Sequence, residues 1–222
     1  MRAGQTVLLD ENIVVRLVEL AVVTDTFRRL PVPKKTHLYR TAIALFGEYG
    51  FDGVTIDMLC ERAGISKGSF FQYFPSKSHL LEFAVVVFDE ALRARVQEMA
   101  DRETSPLARE SLRQLLEALV NGTIFDAVEE KFYHFVTAAM PHCSMVLEGI
   151  DLERHVRSFV ERIVRRGVQT GELRRDIDTA ALCSLVSSII AETAGRCVVS
   201  PPALRAQTAE LLVPLLFDGI RA

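Results

Sequence analysis

The chain has 222 residues, 49% of them hydrophobic and 25% charged, with a formal net charge of −3. That length and apolar content can fill the core of one large domain or two modest ones, and they exclude a disordered or low-complexity protein. The near balance of charge neither points to a polyanionic partner nor excludes one, so local charge has to decide.

The four cysteines, Cys60, Cys143, Cys183 and Cys197, show no C-x-x-C spacing. Three lie in apolar helical patterns, where a thiol behaves as a small hydrophobe, so a reducing, cytoplasmic setting is expected. The apolar run from Val7 to Val23 is broken by Asp10, Glu11, Arg16 and Glu19 and is followed by no small-residue cleavage site. No segment reaches the roughly 18 uninterrupted apolar residues of a membrane span, and no membrane partner is expected.

Residues 1–33 form an N-terminal extension in which Ile13, Val14, Leu17, Val18, Leu20 and Ala21 recur at helical spacing behind Asp10. The pattern predicts one amphipathic helix with Asp10 as N-cap, ended by Pro31 and Pro33. Lys34, Lys35 and His37 then make a small basic approach to the next helix. From Thr36, the apolar positions Leu38, Ala42, Leu45, Phe46 and Tyr49 predict a helix stopped by Gly50. Thr55 is placed to cap a second helix with Ile56, Leu59, Cys60 and Ala63 on its apolar side, and Gly64 to end it in a left-handed conformation. Ser66 caps a third, and Pro75-Ser76 closes that helix while starting a fourth.

Helix, glycine turn, helix is the layout of a helix-turn-helix. At about 100° per residue, Phe70 and Phe74 share one face of the third helix, while Gly68, Ser69 and Gln72 point the opposite way. An aromatic inner face and a small or polar outer one suit a helix lying in a major groove. No acidic residue occurs between Arg62 and Leu81, whereas Arg62, Lys67 and Lys77 do. Lys77 follows a helix cap, where a cation opposes the dipole unless an anion such as a phosphate docks beside it.

The run ALFGEYGFDGVTIDMLCERAGISKGSFFQYFPSKSHLL, within Leu38 to Leu81, resembles the DNA-binding region of the TetR family of bacterial transcriptional regulators. The matching features are the glycine-aromatic turn, Thr55, Ala63-Gly64-Ile65-Ser66, Gly68, Phe70, Tyr73-Phe74 and Ser76-Lys77. The resemblance implies an all-α protein with a three-helix helix-turn-helix domain at residues 34–80. A larger helical domain for effector binding and dimerisation, residues 81–222, would follow. It implies phosphate contacts from Thr55, Tyr73 and Lys77, and base contacts from Lys67, Gly68, Ser69, Phe71 and Gln72. Phe71 departs from the family's usual tyrosine, which leaves ring packing or contact with a thymine methyl.

Beyond residue 80 every segment carries helical periodicity, punctuated by Pro106, Pro141 and Pro201. Leu152, His155, Val156, Phe159, Val160, Ile163 and Val164 form one apolar stripe, ended at Gly167 or Gly171. Between Asp178 and Val199, the residues Ala181, Ser184, Ser188, Ala191 and Gly195 form a seam of small side chains beside Leu185, Ile189 and Ile190. Such a seam lets helices approach closely. In the family, two helices near the C-terminus pack on their copies in a second subunit, and these two segments resemble that pair; packing inside a single subunit is the alternative for the same seam.

Competing chemistry is thin. Gly64-Ile65-Ser66-Lys67-Gly68 fits the G-x-S-x-G nucleophile elbow, but the elbow needs a preceding strand, and a helix is predicted there. His134, His142 and Cys143 match no standard metal spacing, no P-loop or dinucleotide fingerprint occurs, and neither metal nor cofactor is expected. The expected protein is a homodimeric repressor, not an enzyme, that binds a pseudo-palindromic double-stranded DNA operator and is released by a small-molecule effector. Phe88, Phe125, Phe132, Phe135 and Met140 are candidates to line a pocket for a hydrophobic or aromatic effector, and packed core is the alternative for the same stripe.

Overall fold

The computed structural model describes residues 9–120, 124–139, 151–198 and 202–220, and all regular structure among them is helical. Eleven helices follow in order: α1 (Glu11–Glu19), α2 (Asp25–Arg28), α3 (Val32–Gly53), α4 (Ile56–Ala63), α5 (Lys67–Tyr73), α6 (Lys77–Arg102), α7 (Ala108–Val120), α8 (Ala127–Ala139), α9 (Glu153–Thr170), α10 (Thr179–Val198) and α11 (Pro202–Ile220). The chain divides into two compact units, Met1–Ala91 with Asp126–Ile150, and Leu92–Phe125 with Asp151–Ala222. The expected boundary at residue 80 falls inside α6, which runs through it unbroken.

In the first unit the extension makes two helices where one was expected. Asp10 caps α1 by accepting from the Asn12 amide at 3.1 Å. The helix ends at Leu20, and Ala21 takes a left-handed φ of 56° that no continuing helix allows. Thr24 then caps the short α2, accepting from the Phe27 amide at 3.2 Å. The following helix begins earlier than expected, at Val32, because Pro31 and Pro33 sit at its start, where a proline's missing N–H costs nothing.

Gly50 interrupts α3 with φ 66°. Gly47 serves a different need: a Cβ there would lie 2.8 Å from the Phe132 backbone nitrogen and 3.1 Å from the Lys131 carbonyl carbon. Only glycine lets α3 and α8 cross so closely. Around that crossing the Phe46 and Phe135 rings stack at 6.3 Å, and Phe88 meets Phe132 edge-on at 5.4 Å. Arg40 of α3 pairs with Asp126 at 2.7 Å and with Glu129 at 3.4 Å at the start of α8.

In the second unit α10 packs on α9, and both α9 and α11 pack on α7. The stripe read on α9 is the core there: Phe159, Val160, Ile163 and Val164 are buried, facing Leu112, Leu115 and Leu116 of α7 in the same apolar interior. The helix continues past Gly167, which is buried against Ala108 and Leu173, and stops at Gly171 with φ 81°. Glu103 accepts from Arg166 at 2.8 Å and from Ser111 at 2.7 Å, and these bonds outweigh the burial that would raise its carboxyl, so its pKa is lowered.

Candidate nucleic-acid interface

The helix-turn-helix is assembled by short-range chemistry. Thr55 accepts from the Met58 amide at 3.2 Å and starts α4. Gly64 ends α4 at φ 63°, ψ 37°, a left-handed conformation that costs glycine little and a β-carbon more. Ser66 accepts from the Ser69 amide at 3.0 Å and starts α5. The serine of the G-x-S-x-G match is therefore a helix cap between two helices, and the strand that a nucleophile elbow requires is missing at that point. Cys60 lies buried on the inner side of α4, where burial pushes its thiol pKa up and keeps it inert.

The polarity of α5 matches the expectation. Phe70 and Phe74 are buried, with ring centroids 5.7 Å apart, and Gly68 and Gln72 are exposed; Ser69, expected to face outward with them, is half-buried, and Phe71 is exposed as well. A Cβ on Gly68 would meet only the Ser66 hydroxyl at 3.7 Å, so nothing inside the chain demands glycine there. Phe71 is 51% exposed, its ring set edge-on to Phe70 at 5.3 Å. An apolar ring on the outer face of a recognition helix is costly to solvate and gains when another surface covers it.

Besides Thr55 in its cap, four of the candidate contact residues have side-chain partners within the chain. Lys67 pairs with Asp57 at 2.7 Å, so the first turns of α5 and α4 neutralise each other at the surface. The Tyr73 ring is buried, and its hydroxyl accepts from the Lys34 ammonium at 3.1 Å. Lys77 donates to the carbonyls of Phe51 and Val54, both at 2.8 Å, and its Nζ lies 4.2 Å from the centroid of the Phe51 ring. The ammonium thus closes the irregular end of α3, where the chain has left helical geometry and its carbonyls need donors. It carries three donors, and two are spent in this way. Ser69 shares its hydroxyl with Ser66 at 3.0 Å, inside the cap.

The extension supplies residues that the sequence did not reveal as part of this site. Thr24 donates its hydroxyl to the Gln72 carbonyl at 2.5 Å and its amide to the Tyr73 carbonyl at 3.1 Å. Phe27 is fully buried between Phe74, at 5.2 Å, and Phe83, at 5.0 Å. The only signal in the sequence was Thr24-Asp25, a cap followed by an acid, in a stretch whose apolar spacing still resembled a continuing α1.

The remaining candidates fall elsewhere. Phe88, Phe132 and Phe135 are buried in the first unit with their rings directly on one another, and Phe125 is buried in the second. Met140, His142 and Cys143 lie outside the described residues; among those described, no group of three or more metal-binding side chains occurs. On α10, Ala181, Ser184 and Ser188 are exposed and Ala191 is half-buried, while Leu182, Cys183, Val186 and Ile190 face inward. Gly195 lies in the same helix. Leu185 and Ile189 are also exposed, at 59% and 37%, and on α11 so are Leu204, Leu211 and Leu215. No described helix is long and apolar enough to cross a membrane.

Comparison with known proteins agrees with this geometry. The family model for bacterial regulatory proteins, tetR family, matches residues 38–84. The HTH-type transcriptional repressor KstR2 of Mycolicibacterium smegmatis is 28% identical over 156 residues, which cover 67% of this chain and 71% of that protein. The solved structure of the ketosteroid transcriptional regulator KstR2 of Mycobacterium tuberculosis superposes with a TM-score of 0.60 at 21% identity, covering 87% of this chain and 97% of that one. The transcriptional regulator FadR from Bacillus subtilis, solved in complex with stearoyl-CoA, superposes with a TM-score of 0.65 at 17% identity, covering 84% of this chain and all of that one.

Proposed function

The chain belongs to the TetR family of bacterial transcriptional regulators and is a DNA-binding helix-turn-helix regulator, and on that premise we propose that it works as a homodimeric repressor released from its operator by an apolar small molecule. The observation that carries the DNA-binding part is the two-sidedness of α5, which buries Phe70, Tyr73 and Phe74 and exposes Gly68, Phe71 and Gln72. Gln72 offers a bidentate amide to a base edge and Phe71 an apolar surface to a thymine methyl. Lys67 reaches bases by leaving Asp57, which a phosphate-lined groove favours because Asp57 is repelled from it. Thr55, the hydroxyl hydrogen of Tyr73 and the third donor of Lys77 bind phosphates and set the register.

Two-fold symmetry supplies the second reading helix, and half-sites then lie about 34–36 Å apart or at multiples of that spacing. The exposed row of Ala181, Ser184 and Ser188, flanked by Leu185 and Ile189, supports dimerisation through α10, because an uncovered apolar seam on a stable helix is best explained by a partner that buries it. The effector class is supported by the similar proteins: one is described as a ketosteroid regulator and another was solved with stearoyl-CoA. Few charges interrupt residues 119–137 beyond Asp126, Glu129, Glu130 and Lys131, which also favours an apolar molecule. Such an effector shifts the dimer away from the DNA-competent state only by its difference in affinity for the two states.

The test is binding of the full chain to the DNA upstream of its own gene, and to a random duplex pool, across a series of salt concentrations. Repeated phosphate contacts predict log affinity falling linearly with log salt, with Gln72→Ala altering the preference among sequences. Salt-independent binding, or none from either DNA source, would reject the proposal.

A further inference from the structure

We propose that the N-terminal extension is a working part of the DNA-reading head, in which Thr24 and Phe27 grip the C-terminal end of α5 and set the pose from which Gln72 reads its operator. This rests on the DNA-binding assignment made above. The need for a grip follows from how α5 ends. The helix is only seven residues long, its C-cap Phe74 is extended at φ −129°, ψ 129°, and the next residue is Pro75, which has no N–H. No left-handed glycine closes the helix, so the usual local bonds to its last carbonyls are not made. The Phe74 amide satisfies Phe70 at 2.8 Å, and the carbonyls of Gln72 and Tyr73 lie beyond it.

Thr24 meets both of them. Its hydroxyl donates to Gln72 at 2.5 Å and its amide to Tyr73 at 3.1 Å. The same hydroxyl oxygen accepts from Phe27, so one side chain both starts α2 and ends α5. Phe27 then wedges between Phe74 and Phe83, and Lys34 bonds the Tyr73 hydroxyl at 3.1 Å while its ammonium lies 5.3 Å from the ring centroid. These attachments span residues 24–34 and converge on residues 72–74. Gln72 is therefore held by its backbone while its side chain stays exposed, which is how a reading side chain is kept at a fixed height over a groove. Thr24 is a positioning residue that acts through Gln72.

The experiment uses the full-length chain and a DNA duplex selected by the unaltered protein. Thr24→Val, Thr24→Ser and Asp10→Ala are compared for operator affinity, for amide hydrogen exchange across residues 66–74, and for melting temperature. Asp10→Ala removes the cap of α1 without touching α5, so it reports what weakening the extension does by itself. Thr24→Val is expected to weaken operator binding about tenfold and to speed exchange in α5, because the hydrogen bond that orders the end of the helix is lost and Gln72 no longer starts from its reading pose. Thr24→Ser, which keeps donor and acceptor, should restore both, and Asp10→Ala should leave both unchanged. Unchanged affinity and exchange in Thr24→Val would overturn the proposal. So would equal losses in Thr24→Val and Asp10→Ala that track melting temperature, because the extension would then only add stability. If the unaltered chain bound no DNA, the regulator assignment would fall, and the exchange data alone would decide whether Thr24 orders α5.

Discussion

The two ends of α5 are held by opposite means. At its start, Ser66 caps the helix three residues away and Gly64 makes the turn before it, so everything required lies within one short stretch of chain. At its end, the carbonyls are met by Thr24, 48 residues earlier, and the backing ring is Phe27. Local capping lets the first end form as soon as α4 and α5 form. The second end is complete only when the extension has docked, so its geometry is a property of the whole reading head.

The largest effect should come from removing the remote hold. Phe27 is fully buried against two aromatic rings, and Phe27→Ala is expected to cost about 3–5 kcal/mol, the range for truncating a buried aromatic. Chemical denaturation of the first unit's transition measures it. A loss below about 1 kcal/mol would mean that the site collapses around the gap, and the contrast between a locally and a remotely held end would lose its energetic basis.

The same contrast explains what the sequence could convey. The caps at Asp10, Thr55 and Ser66 and the left-handed Gly64 were legible because each cap's partner lies two or three residues away and the glycine's role is its own backbone angle. The inward face of Phe70 and Phe74 was legible from helical period alone. The division of the extension into α1 and α2 was not, because Val22, Val23 and Phe27 continue an apolar pattern across the break at Ala21. The partner of Thr24 was not legible either, since no local pattern encodes a bond to Gln72. Periodicity also could not distinguish a pocket wall from core for Phe88, Phe132 and Phe135, which share one aromatic cluster across α6 and α8. For Lys77 the helix-start position was evident, but the pull of the Phe51 and Val54 carbonyls depends on the Gly50 kink, whose direction the sequence does not state.

Lys77 sharpens the comparison because it serves both the fold and the proposed phosphate contact. Lys77→Met keeps the aliphatic stem and removes the ammonium. Two charge-assisted bonds to carbonyls are lost at a half-buried site where water can partly replace them, so a cost of about 1–2 kcal/mol is expected. If the third donor also reaches a phosphate, the slope of log affinity against log salt should fall by about 1, on every sequence alike. Stability loss with an unchanged slope would confine Lys77 to closing α3.

The finest separation of local from remote hold is available at Asp126, where the two meet on one side chain. Asp126 caps α8 by accepting from the Val128 and Glu129 amides at 3.0 and 2.9 Å, and it also pairs with Arg40, 86 residues away. Burial raises its carboxyl pKa, but the amide of Glu129 and the Arg40 guanidinium lower it more, so the folded value lies below the ordinary 3.8. A depressed carboxylate contributes stability that is present above its unfolded pKa and is lost as pH falls through the folded one. Asp126→Asn keeps the cap, since asparagine caps as well as aspartate, and removes only the charge facing Arg40. The expected loss at neutral pH is under about 1 kcal/mol, as for other partly exposed ion pairs. That loss should shrink as pH falls from 3.8 toward the lower folded value, because the unfolded carboxylate protonates first and the folded one last, after which both chains present a neutral cap. Unfolding of the two proteins compared at pH 7 and at pH 3 measures it, and a difference that stayed constant would place the effect in the cap and leave the Arg40 pair without energetic weight.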